Sequence, residues 1–243
     1  IEAVFTTRGG AIQTVSFLQT KSGERDDYVF NKGGLLPALS LSLNSSDGEI
    51  REFDLDYRLE QQSSASVTCV LDNGEGLSIR REYRIASTGS VDEPYTIEHS
   101  TTFKNNSPSA KALSTIYFNL GTARPITEEM IGVNFLNVGY FDGQDAEFIP
   151  IKKLTGGKGF VGIGASNPKD VIAEAARIEW SSVKNQFFAS VLSSGTVANN
   201  VFVYPVEAPS DVINQPGRLG ISGSVGYELG TLTAGESKSL DFQ

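Results

Sequence analysis

The chain has 243 residues, of which 39% are hydrophobic, and its formal net charge is −9. This length and hydrophobic content are sufficient for a sizeable core, whereas the acidic balance disfavours binding to nucleic-acid phosphates and to anionic lipid headgroups. The chain has a single cysteine, Cys69, so it cannot form an internal disulfide. The sequence contains no run of about 18 apolar residues, so no membrane-spanning helix is predicted within it.

Short segments with alternating polar and apolar residues dominate the first half of the chain, and glycine, asparagine, aspartate and serine separate them. This period of two is typical of β-strands. Asn73 and Gly74 tolerate a positive φ, so we expect the segments on either side of them to form a hairpin. The strands predicted in this half are residues 39–43, 54–59, 67–71, 77–85 and 95–103.

The second half continues in the same pattern, and its helical signals are short. Single helical turns are predicted at residues 127–130 and 181–185, while residues 171–178 carry too few apolar repeats for a helix. Many short strands predict an all-β fold with a few short helices, arranged as a large sandwich. The strands predicted here are residues 113–119, 132–141, 159–165, 186–192, 201–204 and 219–229, and a last one from residue 238.

Residues that could carry out chemistry are few. The only histidine, His99, lies on a strand face with Tyr95, Ile97 and Thr101, and we interpret it as a hydrogen-bonded core residue because no second histidine supports catalysis or metal binding. Cys69 is interpreted as a small buried hydrophobe. Residues 157–162 match G-x-G-x-x-G, but a strand is predicted where a nucleotide site needs a helix. We therefore expect no catalytic residue, no metal, no cofactor and no enzymatic activity.

A second interpretation is a carbohydrate-binding or degenerate mutarotase-like module. Sugar sites combine exposed aromatic rings with carboxylate and amide groups. Such residues come together at the predicted turn near residue 142, which lacks the later glutamate of a calcium loop. The candidate ligand groove under this interpretation consists of Tyr140, Phe141, Asp142 and Gln144.

The most distinctive stretch is residues 178–192, which contains the only tryptophan. Trp180, together with one of the two adjacent phenylalanines, is interpreted as an anchor where the chain enters the core. The same stretch is where we first look for a surface that contacts partners. The residues concerned are Trp180, Lys184, Gln186, Phe187 and Phe188.

These five residues match the segment W-x-x-x-K/Q-x-Q/H-Y/F-F, and the stretch resembles the periplasmic domain of YidC/Oxa-type bacterial membrane protein insertases. Four other segments also resemble parts of that domain, and they occur in the same order along the chain. They are the opening Gly9-Gly10 segment at residues 2–12; a K-x-Y/F strand at 77–85 with Arg81 and Tyr83 in those places; a strand at 95–106 that ends in N-x-S; and a closing L-x-P-G-E-S segment at 229–237, with Ala234 where proline is common.

The resemblance implies a galactose-mutarotase-like β-supersandwich of two large antiparallel sheets, forming a single periplasmic domain over residues 1–243 that is excised from a longer membrane protein. It implies a non-catalytic role at the periplasmic face of the bacterial inner membrane. The implied partners are the Sec translocon with SecDF-like accessory subunits, and nascent membrane proteins. Mutarotases of this fold use two histidines and a glutamate, which His99 alone cannot supply, so kinship of fold implies no such activity.

Overall fold

A computed structural model describes residues 1–16, 29–44, 50–52, 56–85, 95–126, 130–156, 166–207 and 220–243. Within these ranges nearly every regular element is a strand, as predicted. The strands are β1 Glu2–Thr6, β2 Ala11–Ser16, β3 Val29–Phe30, β4 Leu41–Asn44, β5 Ile50–Glu52, β6 Arg58–Gln62, β7 Ser66–Asp72, β8 Leu77–Ile85, β9 Ile97–Asn105, β10 Lys111–Ala123, β11 Asn137–Phe141, β12 Ala146–Pro150, β13 Ile172–Lys184, β14 Ala189–Val206, β15 Gly220–Leu232 and β16 Ser237–Phe242.

The two described helices are short: α1 covers Met130–Val133 and α2 covers Lys152–Thr155. Neither of these four-residue helices is long and apolar enough to cross a lipid bilayer.

Two curled antiparallel sheets form the sandwich. The first has the strand order β5-β4-β10-β15-β14-β13-β11-β12, and the second has the order β16-β9-β8-β7-β6. They join where Ser194 of β14 pairs with Phe242 of β16. A small third sheet, β1-β2-β3, lies beside them. The predicted β-sandwich with few short helices is therefore confirmed.

Alternation along the strands decides which side chains enter the core. In β8, Leu77, Ile79, Arg81 and Tyr83 are buried, while the residues between them face outward. The inner faces of both sheets contribute to one apolar cluster. Its members include Ile79, Phe103, Ile116, Phe118, Val138, Val201, Val225 and Leu240.

Several predicted boundaries are wrong. Residues 132–136, predicted as strand, contain the end of α1 and a turn, and β11 begins at Asn137. The helical turn predicted at residues 181–185 is instead the end of β13 and the turn after it. Ser181 and Ser182 look like turn residues but are buried, because β11 and β14 pair with β13 on both sides. The predicted strand 159–165 and residues 127–129 lie outside the described ranges.

Candidate functional site

Among the described residues, Arg81 is one of the largest fully buried side chains, and it is 0% exposed. Its guanidinium donates hydrogen bonds to the carbonyl of Gly9 at 2.6 Å, to the carbonyl of Leu39, to the Thr101 hydroxyl and to His99 Nε2 at 3.1 Å. None of these four acceptors carries a negative charge. A buried cation without a counter-ion is costly, so the charged hydrogen bonds must offset its desolvation. Arg81 therefore holds the small sheet and the loop before β4 against β8.

His99 lies next to Arg81 and is 3% exposed. Its Nε2 accepts from Arg81, so the ring proton is on Nδ1, which donates to the carbonyl of Glu82 at 3.0 Å. The imidazole is stacked between Tyr83, at a ring-centroid distance of 4.1 Å, and Phe242, at 5.7 Å. Both ring nitrogens are engaged inside the core, which agrees with the interpretation of His99 as a hydrogen-bonded core residue.

Acidification should reveal the buried state of His99. Burial and the Arg81 guanidinium hold the pKa of His99 well below 6.5, while the unfolded chain takes up this proton near pH 6.5. The stability contributed by neutral His99 is thus complete above about pH 6.5 and falls below it, by up to about 1.4 kcal/mol per pH unit.

Urea denaturation at about pH 7 and about pH 5.5 measures this dependence. We expect His99→Gln, whose side chain does not titrate, to lose less stability between the two pH values than the unsubstituted chain does. Equal losses in the two proteins would contradict the assignment.

The other candidate reactive residue and motifs do not form a catalytic or metal site among the described residues. Cys69 is buried, as predicted, and burial raises the pKa of its thiol. Among the described residues, no three His, Cys, Asp or Glu side chains lie close enough together to hold a metal ion. The G-x-G-x-x-G match at residues 157–162 lies outside the described ranges.

The motifs that carry the family resemblance meet in space. Arg81 and Tyr83 bond the carbonyls of Gly9 and Gly10, and both glycines have a positive φ at the β1–β2 turn. Gly10 also admits no Cβ, because one would lie 2.8 Å from the Tyr57 ring. These motif residues thus act by holding the small sheet in place.

A second pair of motifs is joined by Asn105, which is fully buried. Its side-chain amide donates to the carbonyls of Leu232 and Thr233, each at 3.1 Å, in the closing segment. Glu236 in turn accepts from the Thr233 backbone and hydroxyl, which lowers the pKa of its carboxyl group. The N-x-S and closing motifs therefore fix the β15–β16 turn against the end of β9.

The stretch around Trp180 forms part of β13 and the turn into β14. Trp180 is half-buried and stacks on Phe141 at 5.9 Å, and the Lys184 ammonium lies 4.8 Å from the Phe148 ring centroid. The side-chain oxygen of Asn185 accepts from the backbone of Phe187 and Phe188 and shapes the turn. Gln186 is exposed and Phe187 is 67% exposed, so Phe188, which is half-buried, is the phenylalanine nearer the core.

The four residues of the predicted carbohydrate groove lie at the end of β11 and in the turn that follows. Tyr140 is buried and donates to Glu174 at 2.9 Å; burial and this bond raise its pKa to about 12. Asp142 accepts from the backbone of Gln144 and Asp145, as a turn residue does. Phe141 is half-buried against Trp180. Tyr140 therefore presents no exposed ring to a sugar.

An apolar groove lies between the small sheet, the start of β9 and the start of β14. Its volume is about 540 Å³. None of the described residues that line it carries a charged side chain, although 20% of the chain is charged. We call this cavity the apolar groove. Its lining includes Ile12, Val15, Phe30, Tyr95, Ile97, Leu120, Phe188, Val191, Leu192 and Phe242.

The adjoining cleft, on the outer face of β8 and β9, provides a contrast. It has the same volume of about 540 Å³ but is lined by Glu82, Arg84, Glu98 and Asp241, together with several hydroxyl groups. Of these two clefts, only the apolar groove lacks charged side chains among its described lining residues. Sequence analysis missed this groove because its walls come from segments far apart in the chain. The only local signal was the apolar residues of the predicted strand 186–192.

Neither a scan against protein-family models nor a search of curated proteins finds a match to the chain. Among solved structures, a TPR-domain-containing protein from Parabacteroides distasonis is similar over 99% of this chain and 44% of its own, with 14% identity and a TM-score of 0.49. The protein HI1317 is similar over 99% of this chain and 87% of its own, with 12% identity and a TM-score of 0.42. These similarities are too low to assign a function, and the chain spans less than half of the first protein.

Proposed function

We propose that the chain is a non-catalytic periplasmic domain of a YidC-like membrane protein insertase that binds extended apolar segments of nascent membrane proteins. The observation that carries the proposal is that no described residue lining the apolar groove has a charged side chain, although the chain is acidic. Charged walls would be desolvated by an apolar ligand at a large cost, whereas apolar walls gain from its burial. The ordered motif resemblance supplies the cellular context.

The use of Arg81, His99 and Cys69 supports a binding role over a catalytic one. All three are buried, and the hydrogen bonds of Arg81 and His99 connect strands to one another. A general base needs access to a substrate, and His99 at 3% exposure offers little. His99 also lines the groove, but most of the accessible surface there belongs to apolar residues such as Val191, which is 54% exposed.

Contact with the Sec translocon and its SecDF-like accessory subunits belongs to the same proposal. The β13–β14 turn is the first surface to examine, because Phe187 is a large exposed apolar side chain at its tip. Exposed aromatic residues are enriched among those that anchor protein interfaces.

Photo-crosslinking within the full-length membrane protein tests the groove. A photoreactive amino acid at Val191, which is 54% exposed in the groove, should crosslink to a nascent membrane protein during its synthesis. The matched control is Leu35, an apolar residue of similar exposure that does not line the groove.

A charge in the groove should suppress this contact. Val15→Asp places a carboxylate in the lining, and we expect about a tenfold or greater loss of crosslinks from Val191, equivalent to about 1.4 kcal/mol. Equal crosslinking from Val191 and Leu35, or none from Val191 while the insertase remains active, would contradict the proposed function.

A further inference from the structure

The exposed phenylalanines of the described residues all lie at one end of the first sheet. At this end β11 begins and β12 and β13 stop, because Asn137 pairs with both Pro150 and Lys184. One ring precedes β11, one is near the end of β12, and one is in the turn between β13 and β14. They are Phe135 at 44% exposure, Phe148 at 44% and Phe187 at 67%.

Two lysines adjoin these rings through α2, which follows β12 directly. The bond from Ile151 N to Leu136 O at 3.0 Å holds the start of α2 beside the start of β11. Ile151 and Leu154 are buried, so the helix presents Lys152 and Lys153 to solvent, where both are exposed. Neither lysine takes part in an ion pair between described residues.

A third lysine, Lys184, lies on the outer face of the sheet. Its ammonium group is 4.8 Å from the centroid of the Phe148 ring. That ring lies across Gly139, where a Cβ would be 2.7 Å from it, so the free side of the ring faces away from the sheet. We call the rings and lysines together the basic-aromatic surface. Its members are Phe135, Phe148, Phe187, Lys152, Lys153 and Lys184.

The basic-aromatic surface departs from the charge of the whole chain, which is −9. The Lys169 N–H bonds to α2 at 2.8 Å, and the next residue is Asp170, so these two charges offset each other. Arg124 accepts from Asn185 in the turn at 2.9 Å, and its guanidinium reaches the backbone of Glu207, so this pair is also balanced. Among the described residues at this end, the three lysines of the surface remain as surplus positive charge.

We propose that the basic-aromatic surface docks the chain on a lipid bilayer that contains anionic lipids. Phenylalanine rings enter the headgroup region while the lysines contact lipid phosphates, a combination that binds proteins to membrane surfaces. The net charge of the chain argues against such a contact, but attraction acts over about one Debye length, about 8 Å at physiological salt. The local surplus of lysines therefore decides it.

The shape of the surface favours lipid over a protein partner. Its three rings project from separate segments, and neither of the two clefts described above includes them. A fluid headgroup layer accepts projecting side chains in any arrangement, whereas a protein would need a matching pocket for each. The inference does not depend on the apolar groove. It is compatible with a translocon contact at the same turn, because a translocon is embedded in the bilayer.

Co-sedimentation of the chain with lipid vesicles tests the inference. Vesicles of phosphatidylcholine and phosphatidylglycerol in equal parts are anionic, and vesicles of phosphatidylcholine alone are not. We expect the partition coefficient to be at least about tenfold higher on the anionic vesicles, since each lysine near such a surface contributes about fivefold. Raising the salt from about 0.1 M to about 1 M shortens the Debye length from about 10 Å to about 3 Å and should remove most of this difference.

Two substitutions separate the apolar and the charged contributions. We expect Phe187→Ala and Lys153→Glu each to lower the partition coefficient on anionic vesicles by about fivefold or more. Tyr95→Ala is the control for the ring, because Tyr95 is 68% exposed but lies at the apolar groove. Lys104→Glu makes the same charge change at an exposed position of β9. Each control should alter the partition coefficient by less than about twofold.

A fluorophore reports the docking position independently of affinity. Cys69 is buried, so an introduced cysteine can be labelled selectively. An environment-sensitive dye attached at Gln186→Cys, which is exposed beside Phe187, should shift its emission to shorter wavelength on anionic vesicles. The same dye at Ser239→Cys, exposed on β16, should not shift.

The other outcomes would overturn the inference in distinguishable ways. Equal partitioning on both kinds of vesicle would show that the lysines do not direct binding. A loss for Tyr95→Ala and none for Phe187→Ala would show that the apolar groove contacts lipid instead. No partitioning, while Phe187→Ala reduces recovery of the translocon with the full-length protein, would assign the surface to a protein partner. Vesicle binding without crosslinks from Val191 would contradict the proposed function and leave this inference standing.

Discussion

Replacing Arg81 with alanine is expected to lower the free energy of unfolding by about 3–5 kcal/mol, because several charged hydrogen bonds, each contributing about 1.5–3 kcal/mol, are lost together. The substitution removes the Arg81 donors from the carbonyls of Gly9 and Leu39, and unsatisfied buried acceptors are costly. It also removes a guanidinium packed 5.6 Å from the centre of the Tyr83 ring and 5.9 Å from that of Phe118. Urea denaturation at neutral pH measures the change.

The neighbouring arginine provides the control. Arg80 lies on the outer face of β8 and pairs with Glu60 and Glu82 in solvent. Exposed ion pairs contribute little, so Arg80→Ala should change the free energy of unfolding by less than about 1 kcal/mol. A similar loss for both variants, or a stable Arg81→Ala protein, would show that Arg81 does not hold the small sheet to β8.

Phe118→Ala is the second substitution with a large expected effect, a loss of about 3–5 kcal/mol in the free energy of unfolding. Phe118 is fully buried in β10, and its ring contacts Tyr227 at 5.6 Å and Phe242 at 4.6 Å. Both sheets of the sandwich meet at these contacts, so truncation leaves a cavity that neither sheet can close alone.

Phe187→Ala removes the same number of atoms from an exposed turn and should change stability by less than about 0.5 kcal/mol. Thermal and urea unfolding measure the loss of stability in each variant. Because both variants replace phenylalanine with alanine, the difference between the two losses reports the effect of burial alone. Similar losses at both positions would mean that Phe118 does not pack at the contact between the sheets.

Strand positions were predictable where the signal is local. The segment 77–85 was predicted with the bounds that β8 has, because apolar and polar residues alternate along it and a turn with Gly74 precedes it. Prediction failed where burial depends on neighbours. Ser181 and Ser182 have turn-like side chains, and only their pairing with β11 and β14 makes them interior strand residues.

The candidate site was less predictable than the fold. The residues favoured for partner contact, around Trp180, lie at the end of β13 and in the turn into β14, and the start of β14 forms one wall of the apolar groove. Tyr140 was a candidate for carbohydrate binding because its aromatic ring is close in sequence to carboxylate and amide groups, but its side chain is buried. Composition near a turn does not show which way a ring points, whereas strand pairing does.

The sequence by itself determined the all-β class, the core role of His99 and the burial of Cys69, because alternation and residue type are local properties of a strand. Only the tertiary structure decided that Arg81 reaches Gly9 and that the apolar groove forms. Each of these depends on contacts between segments distant in the chain. Their geometry is set by how the sheets curl and join, a property that no single segment encodes.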